Sequence, residues 1–133
     1  MARGKTFSVE TVMSHPSKIS LMQEAEEQGY RTYLYFICTE TPKINIARVK
    51  QRVANGEHDV PVAKIRARYK RSLQLLHPAI LASYRAFLFD NSAKEYKLLM
   101  EFKEGKEMVL REEFLPEWAL QFGVKPIFPD LVD

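Results

Sequence analysis

Apolar positions along this chain fall into two periodicities. Residues 30–38 are apolar on both alternating sets, Tyr33, Tyr35 and Ile37 on one and Leu34, Phe36 and Cys38 on the other. Such a strand is expected where both faces of a sheet are covered. Residues 84–89 repeat the pattern and stop at Asp90-Asn91-Ser92, a turn by composition. Residues 7–10 form a third, shorter strand. Between these runs the period changes to that of a helix. Residues 18–28 carry Ile19, Met22 and Ala25, with Ser17 as cap and Gly29 as stop. Residues 42–54 form a second helix, with Thr41 before Pro42 at its start and Asn55-Gly56 at its end. On it Ile46, Val49 and Val53 share one face, while Arg48 and Arg52 stack four apart on another. A long helix runs from Pro61 to about residue 83, its core stripe being Ile65, Tyr69, Leu73, Leu76 and Ile80. Pro78 inside it predicts a kink or an end. Residues 95–102 and 108–111 pair as an antiparallel hairpin, followed by a short helix near 113–122 and a Pro-rich tail. The alternation predicts an α/β domain with a mainly parallel sheet and a C-terminal hairpin.

Composition narrows the setting. With 133 residues, 46% of them hydrophobic, the chain suits one folded domain spanning its whole length. Its longest apolar run is six residues, far below the ~20 that cross a bilayer. No apolar signal region opens the chain, and the one cysteine, Cys38, forms no internal disulfide. A cytoplasmic protein without membrane contact is expected. Charge adds more. The net charge is +3, but residues 48–71 hold eight basic side chains against two acids, a local +6 that leaves −3 elsewhere. Such an excess is either a solvated helix surface or a place for phosphate.

Phe7-Ser8-Val9-Glu10-Thr11-Val12-Met13-Ser14 reads as an F-x-x-E-T-[TV]-x-S element, and in it and in the segments that follow the chain resembles the zeta-toxin-like P-loop kinases. Gly29-Tyr30-Arg31, Ile46-Ala47-Arg48-Val49 and Arg52-Val53 follow in the family's order. So do Gly56-Glu57-His58-Asp59-Val60-Pro61, Ile65-Arg66-Ala67-Arg68-Tyr69, Arg71-Ser72-Leu73 and Phe89-Asp90-Asn91-Ser92. The resemblance covers residues 7–92, leaving 93–133 as hairpin and tail.

The resemblance implies a three-layer P-loop-kinase-like domain that transfers phosphate from ATP–Mg²⁺ to a small molecule, in some members a UDP-amino-sugar, often within a toxin–antitoxin pair. It implies that Glu10 holds the acceptor and that Arg66, Arg68 and Arg71 belong to a helix closing over the phosphates. His58 leads into that helix, and Asp90 and Asn91 lie at a strand end, where open α/β sheets bind ligands. Arginine suits the role, because its fork binds phosphate oxygens in pairs and stays charged. The family's G-x-x-x-x-G-K-[ST] loop and its catalytic acid have no counterpart in these residues. Gly4-Lys5-Thr6 spells the end of such a loop, but no strand and no earlier glycine precede it, and Phe7-Ser8-Val9 favours a strand. The chain alone is therefore expected to be no competent kinase and to bind ATP and Mg²⁺ weakly. A sheet that lacks the phosphate-loop strand is expected to expose an edge, to be filled by a second copy, by a P-loop-bearing partner or by its own N-terminal segment.

Other chemistry is sparse. His15, His58 and His77 have no metal-ligand spacing, and Cys38 reads as a packing residue. Two alternatives to the kinase remain: a non-catalytic anion- or nucleotide-binding protein, and a module that pairs through a sheet edge. Nucleic acid fits less well, since the basic stretch lacks interleaved exposed aromatics.

Overall fold

The structure, a computed structural model, describes residues 6–11 and 16–132, the first of these stretches by its backbone. Gly4, Lys5, the Val12-Met13-Ser14 part of the family-like element and His15 lie outside the described residues.

Five strands form one sheet in chain order. β1 (Thr6–Thr11) runs parallel to β2 (Arg31–Cys38), and β2 parallel to β3 (Arg85–Asp90). β4 (Lys97–Lys103) pairs antiparallel with β3, and β5 (Glu107–Leu110) antiparallel with β4. The expected hairpin is present. The mainly parallel sheet is not: two pairings are parallel and two antiparallel. The cause is connection length. Only residues 91–96 join β3 to β4, too few for the crossover that a parallel neighbour needs. No gap parts the central strands, because β2 pairs directly with β3 from Tyr33↔Arg85 to Cys38↔Asp90. Among the described residues the sheet ends in free edges at β1 and β5.

Three helices lie between the parallel strands: α1 (Ser17–Glu27), α2 (Pro42–Ala54) and α3 (Val62–Leu81). Both predicted stops work through glycine. Gly29 and Gly56 take φ of 87° and 93°. The Tyr30 N–H then reaches the Ala25 carbonyl and the Glu57 N–H reaches the Arg52 carbonyl, each at 3.0 Å. One start differs from expectation: Pro16, not Ser17, holds the N-cap of α1. Thr41 is the N-cap of α2 with Pro42 in its first turn, as expected, although its side chain makes no cap bond. α3 passes through Pro78, whose missing N–H leaves the Gln74 carbonyl without its helical bond, and ends at Leu81, within a turn of it.

The main core sits on one face of the sheet. Leu34, Phe36, Cys38, Ala86, Leu88, Met100 and Phe102 meet Ile19 and Met22 of α1 and Leu73, Leu76 and Ile80 of α3. The C-terminal helical segment closes the same face with Trp118, Ala119 and Val124, passing through a π turn at Leu120–Val124. A Cβ on Gly123 in that turn would stand 3.1 Å from the Leu88 side chain, so glycine permits the close approach. The other alternating set, Tyr33, Tyr35, Ile37, Phe87 and Phe89, is only half-buried and touches neither hydrophobic cluster. Its rings pack on one another instead, with Tyr35 stacked on Phe87 at 5.2 Å. Among the described residues, then, the helices that pack on the sheet cover one face, and the three-layer expectation is not met. β1, β2 and β3 are parallel neighbours in sequence, so right-handed crossovers place every connecting helix on the same side. α2 packs outward on α3 through a second cluster of Ile46, Val49 and Ile65.

Candidate functional site

A groove of about 770 Å³ opens where α2 and α3 diverge above the C-terminal end of β2. Each wall follows from helical spacing. α2 contributes Asn45, Val49 and Arg52, at i, i+4 and i+7. α3 contributes Ile65, Arg68, Tyr69 and Ser72, at i, i+3, i+4 and i+7. Gly56, Glu57, His58 and Val60 close one end, and Ile37 and Cys38 lie at the strand. Apolar side chains thus meet two arginines and a histidine.

The base of the groove is fixed by hydrogen bonds. The Tyr69 hydroxyl donates to the Thr39 carbonyl at 2.6 Å, tying α3 to the loop after β2. Thr39 Oγ1 also bonds the Asn45 side chain. Burial pushes the Cys38 thiol up to about 12, and burial likewise raises the Tyr69 phenol above its ordinary range. Both are therefore neutral at pH 7, and Cys38 is packed in the main core rather than offered as a nucleophile. At the rim Arg52 stands 3.8 Å from Glu57, with both side chains more than 60% exposed. Such a surface pair adds little to stability and yields readily to a stronger anion. Among the described residues Arg68 has no ion-pair partner.

The sequence candidates separate in this frame. Arg68 and His58 line the groove. Arg66 does not, because two residues of helix turn it about 200° from Arg68. Arg71 lies one turn further along the flank that carries Arg68 and is exposed outside the groove. Glu10 is in β1 opposite Tyr35 in register, and its side chain lies outside the described residues. Asp90 and Asn91 hold loops together. Asp90 accepts from Ser92 Oγ at 2.9 Å, the Asn91 N–H donates to the Cys38 carbonyl at 2.8 Å, and Arg48 donates to the Asn91 carbonyl at 2.6 Å. Nothing in the sequence alone marks Asn45, Tyr69 or Ser72 as site residues, and Arg52 stands out only as one of the eight basic side chains of residues 48–71. The i, i+4 stacking of Arg48 with Arg52 marks a polar face, but only the packing of α2 on α3 shows that Arg52 meets Arg68 across a groove.

The lining fits a phosphate group but not Mg²⁺. Arginines suit phosphate oxygens, whereas Mg²⁺ needs hard oxygen ligands. The lining has one carboxylate, Glu57, which already faces Arg52. A second groove, of about 750 Å³ at the opposite end of the strands, is lined by Glu26, Glu27 and Glu104 and would repel an anion.

The fold and groove define a class: an α/β protein with a basic, apolar-floored groove at the C-terminal end of a parallel strand. An uncharacterised protein of Haemophilus influenzae is 35% identical over 63 residues, 47% of this chain. The chain spans 45% of that relative's length in the match. No family model and no solved structure matches the chain. Among the described residues no helix is long and apolar enough to cross a membrane.

Proposed function

We propose that this chain binds a nucleotide or another phosphorylated small molecule in the α2–α3 groove, in the manner of the phosphate-binding lid of a zeta-toxin-like kinase. One observation carries the reading: Arg52 of α2, His58 of the loop and Arg68 of α3 line one groove above an apolar floor. The volume falls within the ~300–1,000 Å³ usual for small-molecule sites. Val49, Val60 and Ile65 offer a surface for a base or sugar, and the two guanidinium groups face its phosphates. Phosphoryl transfer by that family's route needs a G-x-x-x-x-G-K-[ST] loop to cradle the phosphates, a pattern this sequence does not contain. The chain alone is therefore a binder, and incubation with ATP and Mg²⁺ should release phosphate no faster than buffer.

Calorimetric titration of ADP tests the reading. Saturable 1:1 binding is expected, weakened by inorganic phosphate as competitor. Arg68→Ala removes one charge-assisted contact of ~1.5 kcal/mol and should weaken ADP binding about tenfold. Arg66→Ala, on the other flank of α3, should leave it within about twofold. Absence of ADP binding, or equal losses in both variants, would overturn the assignment of the groove.

A further inference from the structure

We propose that two copies of this chain pair through β5, antiparallel about a two-fold axis at Val109. Among the described residues β5 is the last strand of the sheet and pairs with β4 alone. The Arg111 N–H donates to the Leu99 carbonyl at 2.9 Å, so the backbone groups of Arg111 turn toward β4. Strand alternation then turns those of Val109 and Glu107 the same way and those of Met108 and Leu110 outward. Val109 and Leu110 are 46% and 53% exposed. An edge with unpaired backbone groups and exposed apolar side chains is a template for another strand.

Charge selects the occupant. The segment reads Lys106-Glu107-Met108-Val109-Leu110-Arg111-Glu112, a pattern complementary to its own reverse. Pairing centred on Val109 sets Lys106, in the turn before β5, against the partner subunit's Glu112, just past its strand, and Glu107 against the partner subunit's Arg111, whose guanidinium also bonds Glu101 of its own chain at 2.6 Å. Each pair lies on one face of the joined sheet, where opposite charges stabilise and like charges repel. Met108 and Leu110, whose backbone groups point outward, then exchange hydrogen bonds across the axis. A slip of one residue in either direction breaks both matches. One slip brings Lys106 against the partner subunit's Arg111, and the other brings Glu107 against the partner subunit's Glu112. Each slip also pairs outward backbone groups with inward ones. The contact is isologous and closes at two copies. With four residues per strand it is smaller than the usual ~1,600 Å² interface, so association is expected at roughly tens of micromolar or above.

Sedimentation equilibrium on the full chain, from about 10 μM to about 1 mM, reads the association directly. The wild type should approach twice the 15.5 kDa chain mass. Lys106→Glu and Glu112→Lys should each weaken the dimer about tenfold by creating two like-charge pairs, and the double variant should return it to within about threefold of the wild type. Val109→Cys places two thiols at the axis, where opposed Cα atoms of a non-hydrogen-bonded pair are about 4.5 Å apart and within disulfide reach. It should cross-link under mild oxidation, whereas Leu110→Cys, opposite the partner subunit's Met108, should not. A wild type that stays monomeric at every concentration overturns the proposal, including the case in which the edge serves a different protein. So does a double variant as weak as either single one, or equal cross-linking of the two cysteine variants.

Discussion

At residue scale, the most constrained contact lies under the groove. Tyr69 reaches from α3 to the carbonyl oxygens of Thr39 and Glu40, at 2.6 and 3.1 Å, beside the buried Cys38 thiol. Burial raises the thiol from 9.0 to about 12. The sign follows from linkage. The unfolded chain loses this proton first as the pH rises, so alkali favours unfolding. Stability is complete below pH 9.0 and falls between there and about 12. Cys38 contributes a slope of up to about 1.4 kcal/mol per pH unit in that window. Urea unfolding at pH 8 and pH 10 should show the loss, and Cys38→Ala should flatten it by that amount. An unchanged slope would show that the thiol is not the source. Iodoacetamide at pH 8 should leave Cys38 untouched in the folded protein and label it in urea. The packing role of Cys38 was legible from its place in an apolar strand. Its neighbour Tyr69 was legible only as a core position, because a helix stripe does not reveal a hydroxyl aimed at a loop 30 residues away.

At element scale, the helix stops tell how local signals act. The C′ glycine of α2, Gly56, has φ of 93°, and a Cβ added there would meet no atom within 4 Å. Gly56→Ala therefore tests backbone strain without a clash. It should cost about 1 kcal/mol in chemical denaturation, with the m-value unchanged. A neutral substitution would mean that the turn relaxes freely. Glycines and prolines marked most boundaries because their conformational limits are local. The π turn at Leu120–Val124 was not legible: it depends on Gly123 meeting Leu88 and Leu76, contacts set by the whole fold. The arginine helix shows the same division. Its sequence showed an excess of positive charge beside the core stripe, and helical phase separates Arg66 from Arg68. Which flank matters depends on where α2 packs, through Ile46, Val49 and Ile65.

At the scale of the molecule, the alternation of strands and helices was readable and the layering was not. Strand–helix alternation pointed to an α/β sheet, and a six-residue connection turned its second half antiparallel. Two doubly apolar strands suggested helices on both faces. In the fold, Tyr35 instead stacks on Phe87 and Phe89, and Tyr33 meets Tyr84 edge-on, on the less covered face. Apolar alternation reports that a side chain avoids water, not whether a helix or a neighbouring ring covers it. The two ends of the strands also differ in charge. Glu26, Glu27 and Glu104 stand at one end and Arg52, His58 and Arg68 at the other, so an anion is drawn to the α2–α3 groove. Two-dimensional NMR during an ADP titration locates that binding directly. Saturable amide shifts are predicted at Gly56, His58 and along Ile65 to Ser72, and they should be suppressed in Arg68→Ala. Shifts confined to the Glu26–Glu104 end, or no shifts at millimolar ADP, would contradict the account.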